Sequence, residues 1–593
     1  MKTNYLLIAL LACAALVGCN KEGDEAPNGN SRHYMGFHIS MPEVSTKASG
    51  TLSGGYTNGT AAEQAINSIY FYFYKDGAYI TYGKGEVATQ FSPDPQTTGG
   101  NVENIWGKAG GKGVVVIESS MNTKPNQFLC VINSPKPLFF RNLPLASAVK
   151  ALQTGAVAGA SAVTSSVTGS ETYAEIGFAK LESSTPYFCM ANSPKIEAGK
   201  AVYAVPITGS DIKDSENAAS NAPVEVYVER MASKVEVMNL TATNDLAATW
   251  DITLDAWGLN GVSLNSFVVK NVDPAWVGNS AFTGWLSNSD GRINWAQDPH
   301  YLSADGAFDN TNYYPASAEV YYSAKATSKL LYYSENDIKE SANPSSNVYK
   351  QLRKNYCLEN TFSANGQNDA RIVGTVMMVL ATVKPAGGAV QDLYEYHGVM
   401  YNFDDYAAHL LSSAQTNYSF FVNDGGSYRA INKGDLQLYK AVKAADYATS
   451  GKFKTISDSE YSDGYVTLYP KVSLFEFDGV NYVTADDAHV QQAFLKDIVD
   501  LANAYKGGQM WYAIPVEHLG KGSGVSGLLE GNYGVVRNNY YQITLGNITT
   551  LGHGIYDPAE PIVPGEKTEK WYMGAKINVN AWNIVKQTSN LSE

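Results

Sequence analysis

The chain has 593 residues, 44% of them hydrophobic and only 17% charged, enough apolar matter for several packed domains and too little charge for a disordered polyelectrolyte. A net charge of -14 argues against nucleic acid, whose phosphates would repel it, and no basic block offers a dock on anionic lipid. With 40 tyrosines and 53 glycines, the composition favours pleated sheets joined by tight turns.

The chain opens with Lys2 and an apolar run, Leu6–Val17, too short to stay in a bilayer. The run ends at Leu16-Val17-Gly18-Cys19, small residues before a cysteine. A secretory signal ends at small residues, and a cysteine directly after them resembles the lipobox of bacterial lipoproteins. Residues 1–18 are therefore expected to be a signal peptide and Cys19 the lipidated residue. Asn20–Ser31 is polar and reads as a tether. His33–Met41 then alternates, with Met35, Phe37, Ile39 and Met41 on one face, as a half-buried strand does. Pro42 ends it, and Lys47 stands in the following loop.

Beyond that loop, strand follows strand. Ile69–Tyr74 closes on Lys75-Asp76-Gly77, a hairpin turn. Val114–Ile117, Phe128–Ile132, Val202–Ile207, Val224–Val228, Val235–Val237, Trp250–Leu254, Val320–Tyr322, Ile372–Val383, Tyr540–Leu545 and Ile577–Val585 read likewise. Helical periodicity is confined to Leu145–Leu152 and to Val490–Tyr505, where Val490, Phe494, Leu495, Ile498 and Ala502 form a stripe. The expected fold is mostly β, two β-sandwich domains with short helical insertions. A polar break at Ser215–Pro223 divides the chain into an N-terminal domain over 48–223 and a C-terminal domain over 224–593, after a segment over 19–47.

Catalytic chemistry is not expected, and neither a cofactor nor a metal is implied. Gly107–Gly113 looks superficially like a phosphate loop, but Gly113 stands where Ser or Thr should follow Lys112. Asp404, Asp405 and His409, and likewise Asp487 and His489, are small sets of common polar residues that read as solvated surface. Cys130 and Cys189 sit in apolar runs and read as buried thiols, with a bridge between them as the lesser alternative; Cys357 leaves the count odd.

Several phrases in one order resemble a single family. They are Ile66–Gly77, Phe188–Ser193, Val228-Glu229-Arg230-Met231-Ala232-Ser233-Lys234-Val235, Trp295–Tyr301, Tyr356–Phe362, Tyr533–Asn538 and Lys576–Trp582. Together they resemble the fimbrillins of Bacteroidales type V pili, nearest to the major subunit of minor (Mfa-type) fimbriae. The resemblance implies transthyretin-like, Greek-key sandwiches and a non-enzymatic pilus subunit exported as an outer-membrane lipoprotein through Cys19. It implies that a first strand (Met35, Phe37, Ile39, Met41) fills a groove until a trypsin-like protease cuts after a basic residue. That cut falls here at Lys47–Ala48, where the family usually has arginine. The emptied groove would then accept a donor strand from another copy or an accessory fimbrillin by strand addition. The donor would be Ile577, Val579 and Ala581, with Trp582 and Ile584 after a phase shift such as a bulge. The product would be a cell-surface fimbrium supporting adhesion, to host or bacterial receptors, and biofilm. An anchor or tip fimbrillin, or a surface glycan-binding lipoprotein using exposed Trp and Tyr, are the competing readings.

Overall fold

A computed structural model describes residues 30–40, 63, 66, 68–85, 92–93, 111–120, 123–133, 142–154, 178–180, 186–263, 266–267, 269–280, 282, 285–287, 291–298, 330–346, 351–362, 374–440, 465–494, 501–519, 531–559, 561–562 and 573–580. The three largest of their hydrophobic cores organise them, and the fold is mostly β, as the alternation in the sequence predicts.

The first core lies inside one curled sheet. Its strands run in the order Ala78–Gly85, Ile69–Lys75, Gln127–Ile132, Met190–Asn192, Val224–Arg230, Asn30–Ser40, Gly111–Ser120 and Ser92–Pro93. The curl brings its two ends together, because a β-carbon on Gly83 would lie 2.2 Å from a Val115 methyl. Phe71, Phe73, Phe128 and Ile132 fill the interior, each on the face that period-two alternation turns inward. The predicted Lys75-Asp76-Gly77 turn is present. Asp76 and Gly77 both take positive φ, 51° and 81°, the backbone twist that suits a two-residue hairpin.

At Met231 the chain leaves this sheet. Val224–Arg230 pairs with Met190–Asn192, while Ala232–Asn239 pairs with Tyr356–Leu358 and Tyr540–Ile548 of the next. The crossover therefore falls after Arg230, beyond the polar break at Ser215–Pro223. The second core packs that sheet against Trp250–Asn260, Val376–Pro385, Gln509–Pro515 and His553–Gly554.

The third core was not foreseen. Between Pro385 and Gln509 the described residues build a separate module of two sheets and the helices Phe403–Ala414 and Asp487–Phe494, around Tyr406, Leu410, Phe420, Val466, Leu468 and Phe494. Helix Phe403–Ala414 starts at Asn402, whose side chain accepts a hydrogen bond from the Asp405 amide. It buries Tyr406, Ala407, Leu410, Leu411 and Ala414, which share one face at helical spacing. The predicted helix over Val490–Tyr505 is corrected here. Asp487–Phe494 is helical, but Ala502–Tyr505 is a strand between Leu393–Tyr396 and Tyr465–Pro470. Predicted strand Val320–Tyr322 lies outside the described residues.

Candidate functional site

The first strand, Asn30–Ser40, is held on both edges. Along one it pairs antiparallel with Gly111–Ser120, from Asn30↔Ser120 to Ile39↔Gly111. Along the other, Tyr34 and Met35 meet Lys213 and Ile212, and Phe37–Ser40 run parallel to Val224–Tyr227. Met35, Phe37 and Ile39 are fully buried. Phe37 lies 4.8 Å from Phe71 between ring centres. Three such side chains contribute roughly 5–9 kcal/mol of burial. Without this strand the core beneath would be open to water along its length.

Two glycines make the fit possible. A β-carbon on Gly113 would meet the tip of the Phe37 ring at 2.5 Å, so the missing side chain leaves the ring its place. That accounts for the last glycine of the phosphate-loop-like stretch; Gly111–Ser120 is a strand. Gly36 is tighter still, directly beneath the helix Glu216–Ser220. Polar contacts border the strand. His33 Nδ1 is 3.3 Å from an Asp214 carboxylate oxygen, and His38 Nδ1 is 2.5 Å from that of Glu225. Sequence reading missed both pairs, since the partners lie 181 and 187 positions apart in no local pattern.

The remaining sequence-predicted residues divide plainly. Cys19, Met41, Lys47, Ala48, Ala581, Trp582 and Ile584 lie outside the described residues. Ile577 and Val579 lie on the strand Met573–Asn580, which pairs antiparallel with Tyr540–Ile548 of the same chain, Ile577 opposite Ile543 and Val579 opposite Tyr541. Asp404 forms an ion pair with Lys433 at 2.7 Å, and His409 packs its ring against Tyr396 and Tyr401. His489 pairs with Glu476 at 2.9 Å. Among the described residues, no group of three His, Cys, Asp or Glu side chains is placed to hold a metal ion. Cys130, Cys189 and Cys357 are free, buried thiols. Burial pushes the Cys189 thiol up to about 12, and it donates to the Asn133 carbonyl at 3.2 Å.

Three of the phrases that carried the resemblance, Val228–Val235, Tyr356–Phe362 and Tyr533–Asn538, meet at the junction between the first and second cores. Arg230 donates to the Glu63 carbonyl at 2.7 Å and to Asn538 at 3.1 Å. Lys234 pairs with the Glu63 carboxylate, which the Tyr356 hydroxyl also contacts. Lys270 pairs with Glu229 at 3.0 Å. Arg537 is clasped by Glu359 at 3.0 Å and donates to Ser266 Oγ and the Phe267 carbonyl. Arg230, Glu229, Lys270, Glu359 and Arg537 are almost wholly buried, which is tolerable only because each is ion-paired or hydrogen-bonded.

Paired sheets, a first strand seated between two neighbours and this polar joint define a mostly β protein whose first two cores are tied by buried charge. Residues 503–588 match the family described as "Major fimbrial subunit protein type IV, Fimbrillin, C-terminal". That match likens the C-terminal part of the chain to fimbrial subunits. Among solved structures, it is similar to a fimbrilin of Porphyromonas gingivalis W83 at 11% identity, over 93% of this chain and 98% of that one, TM-score 0.33. It is similar also to the tip fimbrial protein Mfa3 of Porphyromonas gingivalis, C-terminally truncated, at 8% identity over 88% and 97% of the two chains, TM-score 0.29. Among curated proteins none matches. No described helix is long and apolar enough to cross a membrane.

Proposed function

We propose that this chain is a fimbrillin, a stalk subunit of Mfa type, exported as a lipoprotein on Cys19 and activated by loss of its first strand. A trypsin-like protease cuts at Lys47–Ala48 and releases residues 19–47. The groove between Gly111–Ser120 and Val224–Arg230 then takes a donor strand from the C-terminal segment of another copy or of an accessory fimbrillin. The polymer is a surface fimbrium that serves adhesion and biofilm. One observation carries the reading: Met35, Phe37 and Ile39 fill the core from a strand whose paired neighbours, Gly111–Ser120 and Val224–Tyr227, are both distant in sequence. The domains implied are one core up to Arg230 and the others after Met231.

A C-terminal apolar strand favours the stalk role over a tip, because a tip need not donate. The test is the N-terminal sequence and intact mass of protein sheared from cells. A start at Ala48 in material forming high-mass ladders is the expected result. A lipidated start at Cys19 in monomer alone would overturn the stalk role and point to an anchor. Changing Val579 and Ile584 to Asp should abolish ladders and leave monomer secreted.

A further inference from the structure

Gly36 is a position of the first strand that no side chain can occupy in place. A β-carbon there would lie 1.9 Å from the Ala219 carbonyl oxygen and 2.7 Å from its carbon. Ala219 is fully buried in the short helix Glu216–Ser220, which Ser215 caps by accepting from the Ala218 amide. On one side of this helix Ile212–Lys213 pairs with the strand, and on the other Val224–Tyr227 does. One continuous segment, Ile212–Tyr227, thus grips one edge of the strand from Tyr34 to Ser40. Its helix leaves room for glycine alone at the midpoint. The polar break at Ser215–Pro223 is the outer surface of this grip.

The same residue pattern returns near the C-terminus. Arg32-His33-Tyr34-Met35-Gly36-Phe37-His38-Ile39-Ser40-Met41 is matched position by position by Lys570-Trp571-Tyr572-Met573-Gly574-Ala575-Lys576-Ile577-Asn578-Val579. Tyrosine, methionine, glycine and isoleucine coincide. Basic residues coincide at the first position and the seventh, and the apolar face keeps its period of two. Gly574 is the only glycine after Gly565.

We infer that Lys570–Val579 of a second copy is the groove's occupant, seated in the first strand's own direction and register. Met573 takes the place of Met35, Gly574 passes beneath Ala219, Lys576 meets Glu225 where His38 now does, and Ile577 takes the place of Ile39. The helix Glu216–Ser220 sets that register by refusing a side chain at the glycine position; a shift by one residue would also turn the apolar face outward. In its own chain the described part of this segment pairs with Tyr540–Ile548 along one edge, whereas the groove pairs both. The single poor match is Ala575 in the space of the Phe37 ring. The inference rests on the proposed strand replacement and adds to it the segment, its polarity and the residue that fixes its register.

The test uses the full chain opened by limited trypsin digestion and fluorescent peptides spanning 570–580. The native peptide should bind the digested chain and not the intact one. The Gly574→Val peptide should bind at least a hundredfold more weakly, and the Ala575→Phe peptide at least tenfold more tightly. The same two changes in the full chain should abolish and strengthen ladders, respectively. A native peptide that fails to bind, or a Gly574→Val peptide that binds equally well, overturns the inference. Ladders that resist Gly574→Val but vanish with Ile584→Asp overturn the register and leave strand exchange standing. Discriminating peptide binding without any ladders upholds the register and overturns the stalk role.

Discussion

Removing the Phe37 ring is the most direct probe of how the first strand is held. Phe37 is fully buried, 4.8 Å from Phe71 between centroids, and its tip occupies the space that Gly113 leaves empty. No side chain on Gly113 can move in to fill the void, so relaxation is limited and Phe37→Ala should cost about 3–5 kcal/mol. At about 1.4 kcal/mol per tenfold, the open population of the strand rises by a factor of roughly a hundred to a few thousand. Hydrogen exchange in the intact chain reads this locally. Amides of Gly111–Ser120, the strand's full-length partner, should exchange at least a hundredfold faster. Those of Val376–Pro385, in the second core, should be unchanged. Unchanged protection over Gly111–Ser120 would refute the claim that this ring holds the strand in its groove.

Further outcomes follow from the junction, from a buried histidine and from the thiols. Arg537→Ala leaves Glu359 buried without its guanidinium and should destabilise the chain by roughly 3–5 kcal/mol in denaturant melts, whereas the same change at exposed Lys433, paired with exposed Asp404, should cost under about 1 kcal/mol. Burial lowers His553 to about 4, its ring sealed against Trp511, and the Nδ1–H bond to the Gly554 carbonyl offsets only part of that effect. The unfolded chain therefore takes up this proton first. The stability involved is complete above about pH 6.5 and is lost as the pH falls toward 4, up to about 3 kcal/mol. His553→Gln should flatten that acid slope in melts taken from pH 7 to 4. Cys130, Cys189 and Cys357 should be silent to a thiol reagent in the native chain and react together only on unfolding; a fast-reacting thiol would contradict their burial.

What was legible in the sequence was local. Ile69–Tyr74, Gln127–Ile132 and the first strand announce themselves because one face alternates apolar against a turn or proline at the end. Helix Leu145–Thr154 is also near its predicted limits. Val490–Tyr505 misled because the apolar stripe ran on to Ala502, which is buried as a strand residue. The third core was hidden by distance: its bounding strands pair across more than a hundred residues, and no local period encodes that. The junction was hidden for the same reason, since Arg230 and Asn538 lie 308 positions apart. Ser215–Pro223 looked like a linker because its exposed residues are polar, while the residues that give it a purpose, Ile212 and Ala219, are few and buried.

The third core enters and leaves the molecule at one seam. Thr382 stands opposite Gln509 and Val376 opposite Pro515 on adjacent strands, so the chain departs and returns side by side on a rigid frame. Closure of the loop is already secured by that ladder, whatever lies between. The module is therefore a socketed part: it can be enlarged, exchanged or replaced by foreign sequence without re-registering the second core. It is the place in this subunit where surface novelty costs the framework least, and where an engineered epitope would be carried on every copy.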